Sequence, residues 1–173
     1  MTATEAEPYL TRELTCDVAF DADFSLETEL QADAGTKLVG LCFGRKDGQN
    51  LHAVMLHPKG FMDIVTKRGG VFEMLDHRSA PVGTDWHKLR VDVIGKTLDV
   101  YYDGFYVRSL EFPSAAALRG GFGLITGAGQ TRFRRVRILG RDRHDPAAAI
   151  ERKLAMERIA ADASLRQPGT FSG

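Results

Sequence analysis

Trp86-His87-Lys88-Leu89-Arg90-Val91-Asp92-Val93-Ile94-Gly95-Lys96-Thr97-Leu98-Asp99-Val100-Tyr101-Tyr102-Asp103-Gly104-Phe105-Tyr106 decides the fold. From Leu89 to Val93 apolar and polar residues alternate, which is the pattern of a strand with one buried face. Gly95-Lys96 interrupts that strand, and Thr97 to Tyr102 follows as another. Asp103-Gly104 is a two-residue hairpin signal, because a type I′ turn needs positive φ at both central positions. Phe105 to Phe112 is the returning strand.

The same grammar extends in both directions. Upstream, strands are expected at 13–20, 24–31, 37–43, 50–57, 61–67 and 71–75, with turns at Ala34-Gly35, Arg45–Gln49, Pro58–Gly60 and Gly69-Gly70. Downstream, 121–126 and 131–139 complete a series of about eleven strands, and Ser114 to Leu118 has room for one helical turn. Inward residues Phe133, Val136 and Ile138 break strict alternation, which predicts a bulge near Arg134-Arg135. Short strands at this spacing with no long helix among them indicate a sandwich or barrel.

The expected organisation is a disordered lead-in at 1–9, a β-sandwich at 10–140, a C-terminal helix at 145–164 and a linker-like tail at 165–173. Asp145 caps that helix, Pro146 suits its first position, and Ile150, Leu154 and either Met156 or Ile159 form an apolar stripe. No charged segment followed by an apolar one opens the chain, so no signal peptide is read. An extracytoplasmic location is expected only if the chain is a fragment of an exported protein.

The chain has 173 residues, 23 bases and 23 acids, with 43% apolar and 27% charged residues. A neutral balance argues against general binding to nucleic acid or anionic membrane, and the apolar runs are strand-sized. The zero total hides an asymmetry. Nine acids and one base occupy residues 1–34, and nine bases and four acids occupy residues 132–158. Opposite charge on neighbouring first and last strands accounts for this, with a docking strip for an anionic partner as the alternative. Cys16 and Cys42 lie in expected strands and read as buried free thiols, with a bridge between them as the alternative if the two strands are adjacent.

The runs Trp86–Val93 and Leu98–Gly104 resemble the concanavalin A-like lectin/glucanase superfamily, within it most closely laminin-G-type modules and the 3-keto-disaccharide hydrolase-like domain of unknown function. Gly121-Phe122-Gly123-Leu124, Val136-Arg137-Ile138, Phe24–Leu30 and Gly40–Phe43 fit the same template, which covers about residues 10 to 139. The resemblance implies an all-β jelly-roll of two antiparallel sheets, one of them concave, with sugars bound on the concave face or its rim loops and Ca²⁺ in some members.

Candidate site residues follow. If the concave face is used, Arg45, His52 and His57 line it and bond sugar hydroxyls; the plain alternative is ordinary polar surface. Tyr102 and Tyr106, with Tyr101 and Phe105, surround the hairpin tip, where an outward pair offers a stacking platform. Asp47 and Asn50 supply oxygen in a tight loop, which makes Ca²⁺ a weak candidate, against their role in bonding the turn's own backbone. Trp86, at the head of a strand, reads as packing. No other cofactor is expected.

The superfamily's glucanases carry Glu-x-Asp-x-x-Glu, which is missing here, and Glu27 and Glu29 read as one solvent face. The expected function is a non-catalytic carbohydrate-binding or interaction module, part of a larger protein. The alternatives are a hydrolase of the 3-keto-disaccharide type, and a scaffold whose concave face is occluded by the C-terminal helix or a partner domain.

Overall fold

The computed structural model describes residues 11–140 and Leu154. Eleven strands are present: β1 (Arg12–Phe20), β2 (Phe24–Ala32), β3 (Val39–Asp47), β4 (Asn50–His57), β5 (Phe61–Arg68), β6 (Val71–Ser79), β7 (His87–Ile94), β8 (Thr97–Tyr102), β9 (Phe105–Glu111), β10 (Gly120–Thr126) and β11 (Thr131–Gly140). One helical turn, α1 (Ala115–Leu118), sits between β9 and β10. The expected lead-in at 1–9 and tail at 165–173 lie outside the described residues. So does all of the expected 145–164 helix except Leu154, which is helical.

The strands form two antiparallel sheets, ordered β1-β10-β3-β4-β5-β6 and β11-β2-β7-β8-β9. This is a jelly-roll sandwich of two antiparallel sheets. The Gly69-Gly70 and Asp103-Gly104 turns have positive φ at both positions (54° and 85°; 50° and 81°), the condition for the tight hairpin. At Gly40 a side chain has no room, because a Cβ there would lie 1.9 Å from the Val54 carbonyl oxygen.

Between the sheets, Leu26 and Leu30 of β2 and Leu89, Val91 and Val93 of β7 meet Val39, Leu41 and Phe43 of β3, with Val54, Leu56 and Ile64, all buried. Each such side chain contributes about 1.5–3 kcal/mol through burial. The outer face of the five-stranded sheet is charged. On β11 the pairing slips between Arg134 and Arg137, and Arg135 has φ 53°, so the bulge stands where alternation broke. The arginines pair with β2 rather than with the first strand. Arg134 and Arg135 reach Glu29 at 2.5 and 2.7 Å and hold it below the usual carboxylate range, and Arg137 faces Glu27. β1 lies in the other sheet beside β10.

The outer face of the six-stranded sheet is different. Register places Gly40 beside Met55 and Ile125, Cys42 beside Ala53 and Gly123, and Ala53 beside Val65. Leu38, Cys42, Leu51, Ala53, Met55, Val65 and Ile125 form a second buried apolar cluster, separate from the core between the sheets. Burial pushes the Cys42 thiol up to about 12. Cys16 is exposed on β1, contrary to the expectation of two buried thiols, because β1 is an edge strand.

Candidate functional site

Strand parity separates the residues that sequence reasoning had grouped. His52 and His57 are five positions apart on β4, so they face opposite ways. His57 lies on the outer face of the six-stranded sheet, in register with Phe61. His52 turns toward the inter-sheet side, in register with Phe43 and Thr66. Arg45 contacts Glu13 at 3.2 Å. Tyr102 belongs to the core, where it stacks on His87, and its hydroxyl donates to the Pro81 carbonyl at 3.2 Å. Burial raises its pKa. Tyr106 belongs to the same five-stranded sheet but to its opposite face, paired with Tyr101 and edge-on to it at 5.6 Å, with Arg90 over the Tyr101 ring at 4.8 Å. The residues nominated from sequence therefore do not converge on one face.

Asp47 and Asn50 hold their own turn. The Asp47 carboxylate accepts from the Gln49 amide at 2.7 Å and from the Asn50 side chain at 3.0 Å, and Asn50 Oδ1 accepts from the Gly69 amide at 3.1 Å. These bonds, the Gln49 amide first, lower the Asp47 pKa. Among the described residues no three His, Cys, Asp or Glu side chains gather as metal ligands. Trp86 lies under the Arg134 guanidinium, 4.0 Å from the ring centre.

Two polar centres remain. The first lies at one end of the outer face of the six-stranded sheet. Asp63, 1% exposed, stands between His57 Nε2 at 3.0 Å and His77 Nδ1 at 2.6 Å. The Phe61 ring stacks on His57 at 4.2 Å and lies 5.1 Å from His77. A buried carboxylate needs such partners, since an unpaired one would cost several kcal/mol. Burial pulls His57 below the usual imidazole value against the Asp63 charge and the Lys37 backbone bond, which raise it. Asp63 and His77 were missed from sequence. Asp63 stands in the apolar run Phe61-Met62-Asp63-Ile64-Val65, but only the β5–β6 register finds its partner.

The second centre is a cleft of about 280 Å³ at the opposite end of the same strands. His52 forms its floor. Its Nε2 donates to the Ala117 carbonyl at 2.8 Å, and its Nδ1 lies 2.5 Å from the Thr66 hydroxyl. Burial holds the ring neutral, and the Arg68 and Lys46 charges push its pKa lower still. Phe112 meets the His52 ring edge-on at 4.9 Å. Lys46, Lys67, Arg68 and Asn50 line the walls with Gly44, Thr66 and Pro113, and no carboxylate is among the lining residues. Lys46 Nζ bonds the Ala116 and Arg119 carbonyls at 3.2 and 2.5 Å, which ties α1 to β3. The volume lies near the lower end of the roughly 300–1,000 Å³ typical of small-molecule sites. Three cations and an amide on its walls suit a small ligand rich in oxygen acceptors and carrying negative charge.

Carboxylates also meet on the other sheet. Asp92 and Asp99 are cross-strand partners on β7 and β8, both buried. Arg90 forks onto Asp92 at 2.8 and 2.6 Å, and Ser25 donates to the same carboxylate. Arg90 neutralises the acid in place, and the pair lies on a sheet face rather than in the cleft.

No family model and no curated protein matches the chain. Solved structures do. Carbohydrate binding module CBM66 from Bacillus subtilis is similar over 74% of this chain and 81% of its own, with 17% identity and a TM-score of 0.67. A double variant of human galectin-16 is similar over 77% and 99%, with 10% identity and a TM-score of 0.59. Sheep galectin-11, in complex with glycerol, is similar over 76% and 97%, with 11% identity and a TM-score of 0.53. At these identities the likeness is one of fold.

Proposed function

We propose that the chain is a non-catalytic carbohydrate-binding module that takes a small anionic saccharide in the end cleft. The cleft itself carries this reading, with Lys46, Lys67 and Arg68 on its walls and no acid among the lining residues. The similarity in fold to a carbohydrate binding module and to galectins supports the ligand class. His52 and Phe112 shape the floor. Arg45, His57 and Tyr106 lie outside the cleft, and Tyr102 packs in the core.

A glycan array that includes uronic-acid, sialylated and sulfated sugars, run with and without Ca²⁺, tests the proposal. The expected result is saturable binding to acidic glycans that weakens with salt and is lost in Lys67→Ala/Arg68→Ala, but survives Arg45→Ala. Binding that survives the double substitution would move the site elsewhere. Binding to no glycan would overturn the carbohydrate reading and favour the scaffold alternative, which the buried outer face of the six-stranded sheet supports. Turnover of a 3-keto-disaccharide would instead favour the hydrolase reading within the laminin-G-like part of the superfamily.

A further inference from the structure

His52 lies on the floor of the cationic end cleft with both ring nitrogens engaged, and those two bonds fix how it meets a proton. The Ala117 carbonyl, 2.8 Å from Nε2, can only accept, so the ring hydrogen of the neutral form sits on Nε2. Nδ1 is then bare, and the Thr66 hydroxyl donates to it. The ring is not free to turn out. Phe112 meets it edge-on at 4.9 Å and the Phe43 ring lies 5.8 Å away. The Gly44 backbone is so near that a Cβ there would stand 2.8 Å from His52 Cδ2. A second proton therefore goes on Nδ1, which then donates to Thr66 Oγ1. The hydroxyl hydrogen turns off the ring and needs another acceptor.

The charges around the ring are of one sign. β3 brings Lys46, β5 brings Lys67 and Arg68, and no carboxylate is among the residues that line the cleft. α1 faces the ring with the Ala117 carbonyl, and the segment after β9 faces it with the Phe112 ring. Two acids adjoin these elements, and both are held elsewhere. Asp47 accepts from the Gln49 amide and the Asn50 side chain, and Glu73 lies 4.0 Å from Arg68 at the surface. In the free protein, burial and the Arg68 and Lys46 charges keep the ring neutral. An anion in the cleft offsets those cations and favours the imidazolium.

We propose that the cleft is a proton-linked anion site, in which His52 takes up a proton at Nδ1 as a small anionic ligand binds. The proposal rests on the reading of this cleft as the site of an anionic saccharide, and adds its regulation by pH. Thr66 lines the cleft, and an oxygen-rich ligand supplies the acceptor that its hydroxyl then needs. Bound anion and bound proton favour each other equally, as linkage requires. His52 therefore titrates at a higher pH in the complex than in the free chain. Between those two values the complex holds more protons, so affinity rises as pH falls and levels off below the lower one. Ligand is held in mild acid and released toward neutral pH.

Calorimetry of the full chain with inorganic sulfate and with a sulfated galactose, at fixed ionic strength from pH 7.5 to pH 5, tests the proposal. Both probes stay ionised throughout, so a change with pH belongs to the protein. Both are expected to bind about three- to tenfold more tightly at the acid end. Proton uptake is read from the heats in buffers of different ionisation enthalpy. In His52→Gln the amide can keep bonds to Ala117 and Thr66 but takes up no proton, so the pH dependence is expected to vanish. In case that variant does not fold, NMR titration of the imidazoles of the unaltered chain decides: sulfate should raise the pKa of His52 more than that of any other histidine. Affinity flat with pH, or a pH dependence that persists in folded His52→Gln, overturns the proton linkage and leaves the saccharide reading standing. Proton-linked sulfate binding with no preference for the sulfated sugar upholds the linkage and sinks the saccharide reading. Binding of neither probe at any pH overturns both.

Discussion

Mild acid is expected to loosen this fold well before its carboxylates titrate. His52 and His57 are 8% and 6% exposed, and burial is the largest cause of the lowered pKa of each. In the unfolded chain both titrate near 6.5. Between the lowered folded value and 6.5 the unfolded state binds more protons, so acid favours unfolding. This part of the stability is present above about pH 6.5 and is lost as pH falls below it. At pH 5.5 a histidine that stays neutral in the fold but titrates freely outside it costs about 1.4 kcal/mol. Two such groups would cost at most about 2.8 kcal/mol. His52 faces Thr66, the Ala117 carbonyl, Lys46 and Arg68, and the two cations reinforce the effect. His57 faces Asp63, His77 and the Lys37 backbone; the Asp63 charge offsets part of its share. The expected loss between pH 7.5 and 5.5 therefore does not exceed about 2.8 kcal/mol, and His52 carries the larger share because the Asp63 charge opposes the shift of His57. Urea unfolding at several pH values measures it, and His52→Gln should remove about half or more of the dependence. A stability flat over this range, or a slope that His52→Gln leaves untouched, would refute the reasoning.

Other substitutions test other parts of the structure. Arg90→Ala strips the buried Asp92 carboxylate of its two-point partner and should cost about 3–5 kcal/mol, read by chemical denaturation; Arg90→Ala together with Asp92→Ala should recover part of that loss. Gly40→Ala drives a Cβ into the Val54 carbonyl, so the variant is expected to be insoluble or to melt far below the parent. Asp103→Ala removes the acceptor for the Lys88 amide, 2.7 Å away, and for His87, at a position with φ 50°. It should lower stability by about 1–3 kcal/mol in thermal unfolding, while Asp103→Asn, which tolerates that φ, should lose less.

Strands and turns were legible because their signals are local. Asn50–His57 and Thr97–Tyr102 begin and end where the sequence says, and broken alternation at Arg134-Arg135 predicted the bulge. The candidate site was less legible because a face is a long-range property. Parity alone separates His52 from His57, and applying it to β4 would have divided that group from sequence. The cleft is another matter. It gathers Lys46 from β3, Lys67 and Arg68 from β5 and Phe112 from beyond β9, which no spacing along the chain reveals. The arginines of β11 were correctly read as partners of acids near the N-terminus. The strand holding those acids was misjudged, because the first two strands go to different sheets.

That division has a consequence during synthesis. β3 to β6 and β7 to β9 are meanders whose strands pair soon after they emerge, and β2 finds β7 among them. β1 pairs only with β10, and β2 completes its second edge only with β11. The bond from the Thr28 hydroxyl to the Arg134 carbonyl spans 106 residues. At roughly 5–20 residues per second, a ribosome needs about 5–20 s to supply that second partner. Throughout that interval β1 is a lone strand on a growing chain. Its exposed Arg12 and half-buried Glu13 keep it from being apolar throughout, and such charge on an unpaired strand discourages pairing with a neighbouring nascent chain.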